Sequence, residues 1–113
     1  QGKIMADVKK KILVVEDDKA LREMYQLRLS INGYDVLEAS DGEEGLDLAI
    51  KEKPDLILLD IMMPVMDAWG FLEMFDKLDE SVKSRVKIHI LSSSVNKADM
   101  DRAQLNKNVE YYL

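Results

Sequence analysis

Four acidic side chains stand where two apolar runs end. Glu16-Asp17-Asp18 follows Ile12-Leu13-Val14-Val15, and Asp60 follows Leu56-Ile57-Leu58-Leu59. Apolar runs of this length, separated by helix-like segments, read as strands buried in a parallel sheet. In a doubly wound sheet the carboxyl ends of the strands share one edge, and ligands bind there. Glu16 and Asp17 at one strand end and Asp60 at another then converge on one point. Clustered carboxylates repel unless a cation lies among them. The chemistry implied is a divalent metal site with an acid placed to react. Asp18, taken alone, reads more simply as a helix cap.

Such a site needs alternating strands and helices to hold it, and the chain supplies them. A first strand is expected over 11–16 and a helix over 19–32. Ala20, Met24, Leu27 and Ile31 recur at helical spacing and are expected to face inward. Asn32-Gly33 ends that helix, with Gly33 suited to a left-handed cap. A second strand covers 34–39. Ser40 with Glu43, or Asp41 with Glu44, then offers a capping box for a second helix. That helix runs to about 51, with Leu46, Ala49 and Ile50 inward, and Pro54 keeps it from continuing.

A third strand covers 55–60. The loop Ile61-Met62-Met63-Pro64-Val65-Met66-Asp67 leads into a third helix that Asp67 could cap, with Phe71, Phe75 and Leu78 as its stripe. Residues 79–85 read as a polar loop and 86–91 as a fourth strand, followed by Ser92-Ser93-Ser94. A fourth helix is expected over 97 to about 105, with a weak stripe, and a fifth strand from about 109. The expected fold is α/β, a flavodoxin-like, doubly wound, five-stranded parallel sheet of order 2-1-3-4-5, with the final helix absent from this chain.

Composition narrows the function. The chain has 113 residues, enough for one small domain with a real core. Its hydrophobic share of 47% and charged share of 34% suit a globular protein. A net charge of −6 argues against direct nucleic-acid binding, which needs clustered Lys and Arg. The run Lys9-Lys10-Lys11 reads as a solvated approach to the first strand. With no Cys there is neither a disulfide nor a thiolate metal site. No apolar run is long enough for membrane insertion, and no signal peptide is visible, so a cytoplasmic location is the default. Gln1-Gly2 looks like a tag remnant, which leaves 1–9 as a disordered lead and 10–113 as the domain. His89 lies mid-strand and reads as a packed or edge histidine. Trp69 reads as a helix-start residue beside the Pro64 loop.

In order, Ile12-Leu13-Val14-Val15-Glu16-Asp17-Asp18, Asp60-Ile61-Met62-Met63-Pro64-Val65-Met66-Asp67 and Ile90-Leu91-Ser92-Ser93-Ser94 closely resemble the receiver domain of two-component response regulators, of the chemotaxis-regulator-like single-domain kind. The resemblance covers nearly the whole chain past residue 9. It implies a phosphorelay signal-transduction phosphoprotein rather than an enzyme, one that assists only its own phosphorylation and dephosphorylation. By position Asp60 matches the phosphoacceptor and also a metal ligand, and Asp17 matches a direct Mg²⁺ ligand. Glu16 matches the acid that holds the ion, often through water, and the Met62 backbone carbonyl matches the third protein ligand. Ser92 matches the hydroxyl that bonds a phosphoryl oxygen, and Tyr112 the switch aromatic. The implied partners are a histidine kinase or phosphotransfer protein and a downstream protein target.

Three departures accompany the resemblance. The family's lysine after strand five would fall about two residues past Leu113. The usual Asp-Gly at the loop's end is Asp67-Ala68, and Ala resists positive φ. The stretch 79–85 is slightly longer than the commonest spacing. A pseudo-receiver that binds partners without phosphorylation is the alternative. A Mg²⁺ phosphohydrolase would want a second acid after Asp60, where Ile61-Met62 stand, together with a lid. A nucleotide-binding module would want a glycine-rich phosphate loop, and the sequence has none.

Overall fold

The computed structural model describes residues 9–60, 68–91, 105 and 108–112. The elements are β1 (Lys11–Val15), α1 (Lys19–Ile31), β2 (Asp35–Ala39), α2 (Gly42–Glu52), β3 (Leu56–Asp60), α3 (Ala68–Asp76), a single-turn α4 (Glu80–Lys83), β4 (Lys87–Leu91) and β5 (Val109–Tyr112). The five strands form one sheet in the order β2-β1-β3-β4-β5, and every neighbouring pair is parallel. The expected order therefore holds. Val15 pairs with Ala39 and with Leu59, and Asp60 pairs with Leu91. The ends of β1, β2, β3 and β4 thus lie level along one edge.

Alternation along each strand divides the core between the two faces of the sheet. Leu13, Val15, Ile57, Leu59, Ile88 and Ile90 pack with Leu46 and Ala49 of α2 and with Phe71, Leu72 and Phe75 of α3. The Phe71 and Phe75 rings stack with centroids 6.1 Å apart. On the opposite face, Ile12, Val14 and Leu58 meet Tyr25 and Leu29 of α1. Among the described residues no helix is long and apolar enough to cross a membrane.

Local sequence sets the helix ends. Asp18 caps α1, its Oδ1 accepting from Leu21 N at 3.0 Å. At the other end Gly33 takes φ 93°. Its N–H donates to Ser30 O, and the Tyr34 N–H donates to Leu29 O, which closes a Schellman motif. Asp41, rather than Ser40, caps α2 and accepts from Glu44 N at 2.8 Å. Glu44 in turn accepts from Ser40 N at 2.7 Å.

Four expectations are corrected. The face of α1 named by Ala20, Met24, Leu27 and Ile31 points outward, with Leu27 58% and Ile31 74% exposed. Arg22, Tyr25 and Leu29 turn toward the sheet instead. In α2, Ile50 is exposed, and the close contact is made by Gly42, Gly45, Leu46 and Ala49. The stretch read as a polar loop contains α4, anchored by buried Val82. Strands β1, β2, β3 and β4 are each one residue shorter than expected. The expected fourth helix lies outside the described residues except for Leu105, which is helical.

Gly45 fixes how closely α2 approaches the edge that carries the acids. A Cβ there would lie 2.8 Å from Val15 Cγ2 and 3.4 Å from Phe71 Cε1. Both neighbours are fully buried, so neither side chain can swing away. Alanine would gain helix propensity of about 1 kcal/mol over glycine. Overpacking a tight core typically costs about 1–3 kcal/mol. Gly45→Ala is therefore expected to be net destabilising, seen as a lower urea midpoint at an unchanged slope. A raised midpoint would show that α2 can lift off β1 freely.

Candidate metal centre

The acids sit where the β1 ladder runs out. Glu16 N adds one more bond to the neighbouring strand, donating to Ala39 O at 3.0 Å. The chain then turns into α1. Asp18 N donates to Glu16 Oε2 at 3.1 Å, so the Glu16 carboxylate is tied to the turn that follows it. Arg22 reaches back from the first turns of α1, and its Nη1 donates to Glu16 O at 2.7 Å. Asp60 is the last residue of β3, which is paired with β1 from Leu56 to Leu59 and with β4 through Asp60 itself.

This geometry brings Glu16, Asp17 and Asp60 together. One carboxylate oxygen from each lies within 4.8 Å of the others. Glu16 is 4% and Asp60 8% exposed, whereas Asp17 faces solvent. The cluster is therefore walled on the protein side and open on one side. Among the described residues it is the one grouping of three or more acids, histidines or cysteines close enough to hold a metal ion.

The donor set suits a hard divalent cation. All three ligand atoms are carboxylate oxygens, the donors Mg²⁺ and Ca²⁺ take. Two oxygens on opposite sides of an ion bound at ~2.1 Å are about 4.2 Å apart, within side-chain adjustment of the observed span. Softer ions find nothing here, since the sequence has no Cys and His89 lies mid-β4.

Electrostatics points the same way. Burial, the hydrogen bond shared with Asp60 and the charge of Asp60 push the Glu16 carboxyl up to about 8. The Asp18 N–H opposes that rise. Without a cation, Glu16 therefore keeps a proton near neutral pH. A positive ion in the cluster would displace that proton and favour the ionised carboxylate.

The remaining site assignments divide as follows. Met62 and Ser92 lie outside the described residues. Tyr112 closes β5 and pairs with Ile90, and its side chain is likewise outside them. His89 is half-buried on the side of β4 away from Ile88 and Ile90, as a packed histidine would be. Trp69 packs against the core from α3. Sequence reasoning missed Arg22. The available signal was an arginine one turn inside a capped helix that directly follows an acidic strand end.

Comparison with known proteins fits this geometry. Residues 12–113 match the family model described as the response regulator receiver domain. A probable transcriptional regulator, ycf27, of Porphyridium aerugineum is 46% identical over 69 residues, which are 61% of this chain and 29% of that protein. The alkaline phosphatase synthesis transcriptional regulatory protein PhoP of Bacillus subtilis is 55% identical over 58 residues, or 51% of this chain and 24% of that protein. The chain thus spans less than a third of the curated relatives it matches. Among solved structures, the chemotaxis protein CheY4 of Vibrio cholerae superposes with a TM-score of 0.83 at 27% identity, covering 94% of this chain and 86% of that one. A CheY-like receiver domain protein from Methanospirillum hungatei gives 0.79 at 26% identity, covering 94% and 81%. With a family model over 12–113, relatives and superposition all in agreement, the chain belongs to the response regulator receiver family.

Proposed function

We propose that this chain is the phosphoryl-accepting switch of a two-component system. Asp60 accepts a phosphoryl group from a histidine kinase or phosphotransfer protein, and the message leaves through protein contacts in the cytoplasm. The observation that carries this reading is the convergence of Glu16, Asp17 and Asp60 in a receiver fold. The role is that of a phosphoacceptor and not of an enzyme with turnover.

In the transfer, an Asp60 carboxylate oxygen forms the new bond to phosphorus. The bond from phosphorus to the donor's histidine nitrogen breaks, and that nitrogen keeps the electron pair and takes up a proton. Phosphoryl transfer depends on positioning and charge stabilisation more than on covalent chemistry by the protein. A carboxylate approaching an anionic phosphoryl group faces like-charge repulsion. Mg²⁺ bound at this centre would offset that repulsion and align both reactants.

The chain's own groups then divide the work. Asp17, Glu16 and Asp60 would hold the ion, with the Met62 carbonyl assigned as a further protein ligand from its place after Asp60. Asp60 is fixed at the end of a buried strand, within the cluster whose exposed member is Asp17. Ser92, next after β4, is assigned the hydroxyl that bonds a phosphoryl oxygen, and Tyr112 the switch aromatic. A contact that exists only in the phosphorylated form is what biases a two-state element.

Incubation with acetyl phosphate and Mg²⁺ tests the reading by intact mass. A phosphate increment that disappears when EDTA replaces Mg²⁺ is expected. No increment in either condition would favour the assembly module that keeps the fold without phosphorylation.

A further inference from the structure

We infer that Arg22 is a positioning residue for the metal centre, an inference that rests on the phosphoacceptor reading above. Its side chain is only 16% exposed, unusual for an arginine on an outer helix. It makes two described contacts. Nη1 donates to the Glu16 carbonyl at 2.7 Å, and Nε lies 3.5 Å from Glu38 Oε1 of β2. The first contact bears on the site. The Glu16 carbonyl belongs to the peptide that joins Glu16 to Asp17. Orienting that peptide plane sets ψ of Glu16 and φ of Asp17, and hence the direction in which the Asp17 carboxylate leaves the backbone.

The surroundings explain why a side chain is needed there. Glu16 N is held by Ala39 O, but β1 has ended, and its parallel pairing with β3 stops at Val15. The carbonyl of a buried residue must still find a donor. A guanidinium supplies one as a charge-assisted bond and spans from α1 to β2 as it does so. Asp17 is the exposed member of the trio, with little packing to orient it. Its direction is therefore delegated to the peptide behind it, and Arg22 holds that peptide. The Glu38 contact fixes the guanidinium and does not itself reach the acids.

The test compares Mg²⁺ affinity by titration calorimetry for the unsubstituted chain, Arg22→Ala, Arg22→Lys and Glu38→Gln. Loss of an outer-shell partner typically costs about 10- to 100-fold in metal affinity. Arg22→Ala is expected to lose at least about tenfold, with circular dichroism and thermal midpoint showing a folded chain. Arg22→Lys keeps one donor and is expected to recover most of that loss, and Glu38→Gln to stay within about twofold. Acetyl phosphate labelling of Arg22→Ala should be slow at limiting Mg²⁺ and recover at saturating Mg²⁺, a split that general destabilisation does not produce. Unchanged affinity in folded Arg22→Ala overturns the positioning role alone. If Arg22→Ala does not fold, equal losses in Arg22→Lys and Glu38→Gln overturn it. Failure of the unsubstituted chain to bind Mg²⁺ overturns the phosphoacceptor reading and the role of Arg22 with it.

Discussion

Asp60→Asn is expected to take up no phosphate from acetyl phosphate under conditions that label the unsubstituted chain. The amide keeps the size and the place of the carboxylate but lacks the anionic oxygen that bonds to phosphorus. Loss should be complete within detection and not a mere slowing, because no other described acid shares this setting. Glu16 is the most buried member of the cluster, and Asp17, its exposed member, is proposed to hold the ion. The substitution also removes a metal ligand, so Mg²⁺ affinity should drop by at least about tenfold. The fold should survive and gain stability without metal, since one of three crowded carboxylates is gone. Persistent labelling in Asp60→Asn, mapped to another residue, would remove Asp60 from its role.

The second large effect concerns pH. In the metal-free chain the Glu16 carboxyl titrates at about 8, against an ordinary 4.5. Its folded value is raised, so the stability it contributes is full below about 4.5 and is lost as pH rises through about 8. Glu16→Gln stays neutral throughout. In EDTA its thermal midpoint should pull ahead of the unsubstituted chain between pH 5 and 8 and hold that lead above. A lead of about 5 °C or more is expected, because about 1 kcal/mol moves a domain of this size by roughly that much. Mg²⁺ reverses the sign. Binding must expel the Glu16 proton, so affinity should climb by up to about tenfold per pH unit below 8 and level off above it. Proton release on binding, measured calorimetrically at pH 7 in two buffers of different ionisation enthalpy, gives a second reading. Affinity flat from pH 6 to 8.5 with no proton released would mean that Glu16 is already ionised.

Both expectations trace back to features plain in the sequence. Apolar runs ending in acids gave the strands, their shared edge and the trio of carboxylates. Parallel pairing leaves little freedom once the strand ends are known, because register is fixed by burial on both faces. Caps were equally local, with Asp18 and Gly33 where their side-chain chemistry put them.

What the sequence hid was relational. The most apolar stripe of α1 faces outward, since the inward face needs Arg22 for the Glu16 carbonyl as well as Tyr25 and Leu29 for the sheet. Periodicity weighs apolarity and does not register a cation with a backbone partner. Gly45 reads as a weak helix residue until the distance to Val15 is known. Val82 anchors α4 from within a polar stretch, and one apolar residue leaves no period to detect. Met62 and Ser92 rest on their place in the sequence, and Tyr112 adds only its backbone pairing.

The most direct measurement is a crystal structure grown with Mn²⁺ in place of Mg²⁺, read by anomalous scattering. One peak bonded to Asp17 and Asp60, with Glu16 bound directly or through water, is the result expected. A metal peak elsewhere on the chain, with the side chains of Asp17 and Asp60 turned apart, would contradict the account at its base.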